Sequence, residues 1–178
     1  MMKIHVLSMI LLAATTVHAG EASSQHNASA ACNGPEFHQF DFWIGNWEVS
    51  SQGQVVGHNT ITPIADGCAL LENWTGADDS SGKSINAWRP TEQRWTQHWV
   101  GSGGTILDLT GGLAEGRMVL TGPLRQTPKG PVLDRITWTP VSPNEVRQVW
   151  ELSSDDGAVW SIVFDGTYTR RSAGARHK

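Results

Sequence analysis

Helical periodicity is nearly absent from this chain. Past residue 47, no stretch repeats its apolar positions at three and four, which argues against helix-built architectures. Positive charge is also scarce. Lys and Arg number 13 against 17 Asp and Glu, a formal charge of −4, and that balance argues against nucleic acid or anionic membrane as a partner. The basic tail, Arg170, Arg171, Arg176 and Lys178, is too short to reverse it. Signatures of known chemistry are missing too. His38, His58, His98 and His177 do not approach metal-ligand spacing, and no Cys or carboxylate cluster completes a tetrahedral set. Asp78-Asp79 and Asp155-Asp156-Gly157 read as turns, because the ligand spacing of a calcium loop is lacking. Gly101-Ser102-Gly103-Gly104 neither leads a strand into a helix nor carries a Lys, so it is no phosphate cradle. No Ser occupies a nucleophile elbow. The expectation is therefore no metal, no resident cofactor and no assignable catalytic residue. His98 as a haem ligand is the weaker alternative.

Long apolar runs are missing as well. The one candidate, Val6 to Ala14, is preceded by Lys3 and followed by Val17-His18-Ala19, a small-residue cleavage pattern. His5, Ser8 and Thr15-Thr16 interrupt it well short of the ~20 apolar residues of a membrane span. This reads as a signal peptide over residues 1–19, with an uncleaved anchor as the alternative. Its removal takes Lys3 away and makes the remainder one unit more acidic. The implied location is periplasmic or secreted, with no membrane association after cleavage. Cysteine is down to two residues, Cys32 and Cys68. In an exported chain such a pair is expected to be oxidised.

What is present is alternation. Residues 20–34, rich in Ala, Ser and Asn, form a flexible lead. From Trp47 onward the apolar pattern has period two, in short runs broken by Gly, Pro, Asp and Ser. Ten strands are expected: 47–51, 55–64, 68–75, 84–89, 94–100, 105–110, 117–122, 132–139, 145–152 and 159–170. Breaks such as Ser51-Gln52-Gly53, Glu115-Gly116 and Pro140 to Asn144 supply turn chemistry that favours antiparallel neighbours. An up-and-down β-barrel over residues 35–171 hides the sheet edges most simply, followed by a tail over 172–178. A two-sheet sandwich is the alternative, since spacing alone does not show closure.

The stretch FDFWIGNWEV, Phe40 to Val49, explains how such a barrel begins. Phe37, Phe40 and Ile44 are spaced three then four, which suits a short helical turn entered through Pro35. Gly45 then permits a tight change of direction into the first strand. Here the chain resembles the lipocalin and fatty-acid-binding superfamily, whose members open with a helical turn and a Gly-x-Trp, read here as Gly45-Asn46-Trp47. In that superfamily a basic residue late in the last strand packs over the Trp, which implies Arg170 or Arg171 for the role. The longer words FDFWIGNW, GCALLENWTG, RITWTP, VRQVWE and VFDGTY, spanning residues 40–168, resemble a family of small exported bacterial proteins of unknown function with a lipocalin-like fold. The resemblance implies a fold and a compartment and brings no catalytic residues.

One pattern points to a site. A polar residue stands two before a Trp in four strands: Glu72 and Trp74, Asn86 and Trp88, Gln97 and Trp99, Gln148 and Trp150. Positions two apart share a strand face. On the inner face they would line a small-molecule pocket with indole surfaces, side-chain amides and one acid. On the outer face, or in a filled core, each Trp simply packs and uses its neighbour to satisfy its indole N–H. Three readings follow. A binding or carrier barrel for a partly apolar or aromatic molecule comes first. An enzyme with Glu72 as general acid or base and Arg135 steadying negative charge is the second. A structural or interaction barrel with a filled interior is the third.

Overall fold

The computed structural model describes residues 32–172, so the expected signal peptide, most of the lead and most of the tail lie outside the described residues. Eleven strands follow one another along the chain: β1 (Gly45–Ser51), β2 (Gln54–Ile64), β3 (Ala69–Gly76), β4 (Ser81–Arg89), β5 (Arg94–Gly101), β6 (Ile106–Ala114), β7 (Arg117–Thr121), β8 (Arg125–Thr127), β9 (Gly130–Ser142), β10 (Glu145–Ser153) and β11 (Ser161–Arg170). Alternation builds them. In β9, Asp134, Ile136 and Trp138 are buried while the residues between them are only partly covered. A pleated strand with one dry face demands that pattern.

Neighbours in sequence pair antiparallel, and the sheet closes. β11 pairs with β1, placing Trp47 opposite Arg170 and Val49 opposite Tyr168. On the other side β9 pairs with both β7 and β10. The result is a closed ring of ten antiparallel strands, which rules out the sandwich. The eleventh strand, β8, was not expected from the sequence. It is a three-residue flank folded back on the start of β9, too short to show a period. Among the described residues no helix is long and apolar enough to cross a membrane.

The opening stretch forms the plug. Two 3-10 turns, Pro35–His38 and Asp41–Trp43, precede β1. The expected apolar set of Phe37, Phe40 and Ile44 is corrected: the turn type puts Trp43 in the place of Ile44, and Phe37 belongs to the separate first turn. With three residues per turn, positions i and i+3 align, so Phe40 and Trp43 go inward together, stacked 4.9 Å apart. Phe37 and Ile44 are only partly covered. Phe40 also meets Trp95 and Trp138 edge-on, so one end of the barrel is filled with aromatic side chains.

Trp47 completes that end. Its indole Nε1 donates to the Trp43 carbonyl at 2.8 Å, and the guanidinium of Arg170 lies 4.3 Å over its ring. Arg170, and not Arg171, is therefore the residue packed on the Trp. Arg170 also donates to the carbonyls of Ile44 and Pro143, joining the plug to the last two strands. Gly45 has φ +149°, and a Cβ there would stand 2.2 Å from an Arg170 nitrogen. Any larger residue would displace the arginine.

Cys32 and Cys68 form a disulfide with Cα atoms 5.1 Å apart, an ordinary separation. It fastens the segment before the plug to the β2–β3 connection. Intact-mass measurement of the purified protein is expected to show two hydrogens fewer than the reduced chain. Alkylation of both thiols without reductant would refute the pairing.

Candidate functional site

The aromatic plug fills one half of the barrel, and the other half is hollow. A cavity of about 400 Å³ opens toward the end where β3, β5 and β10 finish. Ten strands enclose more width than side chains can readily fill, since eight already suffice to hold a small ligand. Its walls are mainly aromatic and aliphatic, including Trp74, Trp99, Trp150, Phe164, Leu107 and Ile136. Two of the indoles lie flat because the neighbouring strand offers no side chain. A Cβ at Gly57 would come within 2.6 Å of the Trp74 ring, and one at Gly82 within 2.1 Å of the Trp99 ring. The glycines let the rings lie along the wall instead of crossing the opening.

A polar belt runs below the indoles. Glu72 is 4% exposed and accepts from Asn59 Nδ2 at 2.7 Å and Ser84 Oγ at 2.6 Å. Asn86 Nδ2 donates to Ser84 Oγ at 2.9 Å, and Gln97 Nε2 donates to Asn86 Oδ1 at 2.8 Å. Tyr168 gives its hydroxyl proton to Gln148. The register explains the belt. Glu72 lies opposite Ser84 across β3–β4, and Asn86 opposite Gln97 across β4–β5, so inward positions on adjacent strands fall at one level.

Burial pushes the Glu72 carboxyl up from 4.5 to about 7, while the bonds from Ser84 and Asn59 pull in the other direction. Desolvation outweighs two good donors because the charged form loses its water. Burial, and then the nearby Glu72 charge, also raise the Tyr168 phenol above its ordinary value.

Of the nine residues singled out in the sequence, Glu72, Trp74, Gln97, Trp99, Gln148 and Trp150 line the cavity together. Asn86 is fully buried one step deeper, in the hydrogen-bond chain. Trp88 packs against the core beside Trp95, toward the plug, and does not reach the cavity. Arg135 is on the outer face. It pairs with Glu151 through two hydrogen bonds and lies 4.0 Å over the Trp160 ring. Strand parity places it there: Asp134, Ile136 and Trp138 take the inner face, so the residue between the first two turns outward.

The cation that does line the cavity is Arg125, from the unexpected strand β8. It holds buried Asp134 through two hydrogen bonds, and Trp150 Nε1 donates to the same carboxylate at 2.8 Å. Tyr168 and Asn59 were also not singled out, since neither stands two before a Trp. Asn59 had a signal in its parity with Ile61 on β2, whereas Tyr168 is placed by its pairing opposite Val49, which the sequence does not show. His98 is exposed and pairs with Asp108 at 2.6 Å. It faces away from the cavity and is not placed to ligate a group inside it. Among the described residues no group of His, Cys, Asp and Glu is gathered to hold a metal. No protein-family model matches this chain, and no curated protein matches it.

Proposed function

We propose that this protein is an exported, lipocalin-like barrel that binds or carries a small, partly apolar or aromatic molecule. The observation that carries the reading is the cavity itself: about 400 Å³ with flat indole walls and a polar belt at its base. Small-molecule sites run from ~300 to ~1,000 Å³ and combine apolar walls with a few fixed polar groups. The Gly-x-Trp plug capped by Arg170 supports the lipocalin-like part. The disulfide fits export into an oxidising compartment, in line with the signal-peptide reading of residues 1–19.

The enzyme reading keeps Glu72, a buried acid with a raised pKa, but lacks its second group. Arg135 is outside the barrel, and Arg125 is held by Asp134. A filled structural barrel is disfavoured by the cavity.

Trp fluorescence tests the reading. A neutral aromatic probe such as N-phenyl-1-naphthylamine is expected to quench emission saturably. Each stacked ring contributes ~0.5–1.5 kcal/mol beyond its buried area, so Trp74→Leu with Trp99→Leu should weaken binding about tenfold while the fold persists. Trp150 is left in place because its indole holds Asp134. Unfolding of the double variant would make these rings core. If the unaltered protein binds none of a broad panel of apolar, aromatic and saccharide probes, the carrier reading falls.

A further inference from the structure

We infer that the ligand is an organic cation, with an ammonium group seated toward Glu72 and an apolar or aromatic body lying along Trp74 and Trp99. This rests on the binding reading above and names the chemical class that the site selects.

The hydrogen bonds around Glu72 have a direction. Ser84 Oγ accepts from Asn86 Nδ2, and Gln97 Nε2 also approaches it at 3.4 Å. A hydroxyl has one proton to give, and here it goes to Glu72 Oε2. The chain therefore runs Gln97 to Asn86 to Ser84 to Glu72, every link donating toward the carboxylate, and Asn59 donates from the other side. Tyr168 turns its proton away, to Gln148. Asn59 and Ser84 both turn a donor to the carboxylate, and the Asn59 Oδ1 acceptor, which takes no hydrogen bond, is the end of that amide turned from it. The belt is arranged for an anion.

That anion has no counter-charge among the described residues. Among the described residues Glu72 forms no ion pair, and the groups facing it are Asn59 from β2, Ser84 from β4, Gln97 from β5 and Tyr168 from β11. The remaining charged groups at the cavity are Arg125 and Asp134, which neutralise each other. A buried carboxylate without a partner is unfavourable until it takes a proton or a cation arrives. What stands above it is a set of aromatic faces, Trp74, Trp99, Trp150 and Phe164. Aromatic faces around an acid are the surroundings that stabilise alkylammonium groups, because each ring presents its negative face.

The pH response follows. With Glu72 near pH 7 in the empty cavity, a permanent cation must displace its proton at lower pH. Affinity should rise with pH up to about 7 and level off above it.

The test uses two probes of the same shape, phenyltrimethylammonium and tert-butylbenzene, each displacing N-phenyl-1-naphthylamine from the unaltered protein at pH 6, 7 and 8. The cation is expected to bind at least about tenfold more tightly than its neutral isostere at pH 8. It should lose about tenfold between pH 8 and pH 6, while tert-butylbenzene stays level. Glu72→Gln should erase the preference for the cation and retain the neutral probe. The pH series needs no variant, so it decides the matter even where Glu72→Gln does not fold. If tert-butylbenzene binds as tightly as the cation at pH 8, the cation inference is overturned and the carrier reading stands. If neither probe nor the naphthylamine binds, both are overturned.

Discussion

Trp47→Ala is expected to lower the unfolding free energy by about 3 to 5 kcal/mol, the range for large aromatic truncations in cores. Trp47 is 1% exposed, so the transfer loss is complete and a cavity replaces the ring. The loss spreads beyond the ring. Trp43 O loses its indole donor, and Arg170 loses the face on which its guanidinium lies. Arg170 is also what holds the carbonyls of Ile44 and Pro143, so the tie between plug, β1 and β11 loosens at once. Trp47→Phe separates the contributions. It keeps an aromatic face for Arg170 and removes the N–H bond, so it should cost clearly less than alanine. Urea melts decide it: a loss under 1 kcal/mol for Trp47→Ala would take Trp47 out of the closing plug.

The second large effect is a stability that falls as pH rises. The Glu72 carboxyl titrates near 4.5 when unfolded and at about 7 in the ligand-free barrel. Between those values the folded protein holds a proton that the unfolded chain has released. The folded state is therefore favoured at the acid end, and the advantage is lost as pH climbs through about 7. At 1.36 kcal/mol per pKa unit the span amounts to about 3 kcal/mol. Glu72→Gln removes the titration. Its amide also brings one donor against the Asn59 and Ser84 donors, a penalty that does not vary with pH. The stability of Glu72→Gln minus that of the unaltered protein should thus rise by about 3 kcal/mol from pH 4 to pH 8. Taking the difference cancels the other carboxylates, among them Asp165, which Arg147 holds below its ordinary value. A difference that stays flat across this range would mean that Glu72 ionises as it does in water and that the cavity floor is wet.

Much of the architecture was legible because a strand reports its own alternation. The ten expected strands are those of the closed ring, and the turn residues lie between them. Glycine at 45 with Trp at 47 marked the start of the barrel, and the two cysteines marked a bridge. Boundaries were less legible. β4 begins at Ser81, since Gly82 on its inner face has no side chain to show a period but makes room for Trp99. The helical turn was legible, but its buried set was not, because a 3-10 turn aligns Phe40 with Trp43 and leaves Ile44 off that face, while Phe37 falls in a separate turn.

The candidate site divides in the same way. That Glu72, Gln97 and Gln148 share a face with Trp74, Trp99 and Trp150 follows from period two alone. Arg135 shows where that reasoning stops short. Its neighbours Ile136 and Trp138 are large and apolar, and weighing them would have turned Arg135 outward. Arg125 had no comparable signal, because a three-residue strand followed by Pro128-Lys129-Gly130 reads as a loop.

By itself, then, the sequence determined the strands, the two faces of each strand, the plug motif and the residue types available for a pocket. Only the tertiary structure decided which face is inside, that the ring closes through β9 with β10 and β1 with β11, and that Glu72 ends unpaired beneath three indoles. The physical reason is that alternation is a local property of one pleated strand. Hydrogen-bond register and closure are instead settled by strands far apart in the chain, and they alone bring Ser84 opposite Glu72 and set Asn59, opposite Trp74, within reach of both Glu72 and Tyr168.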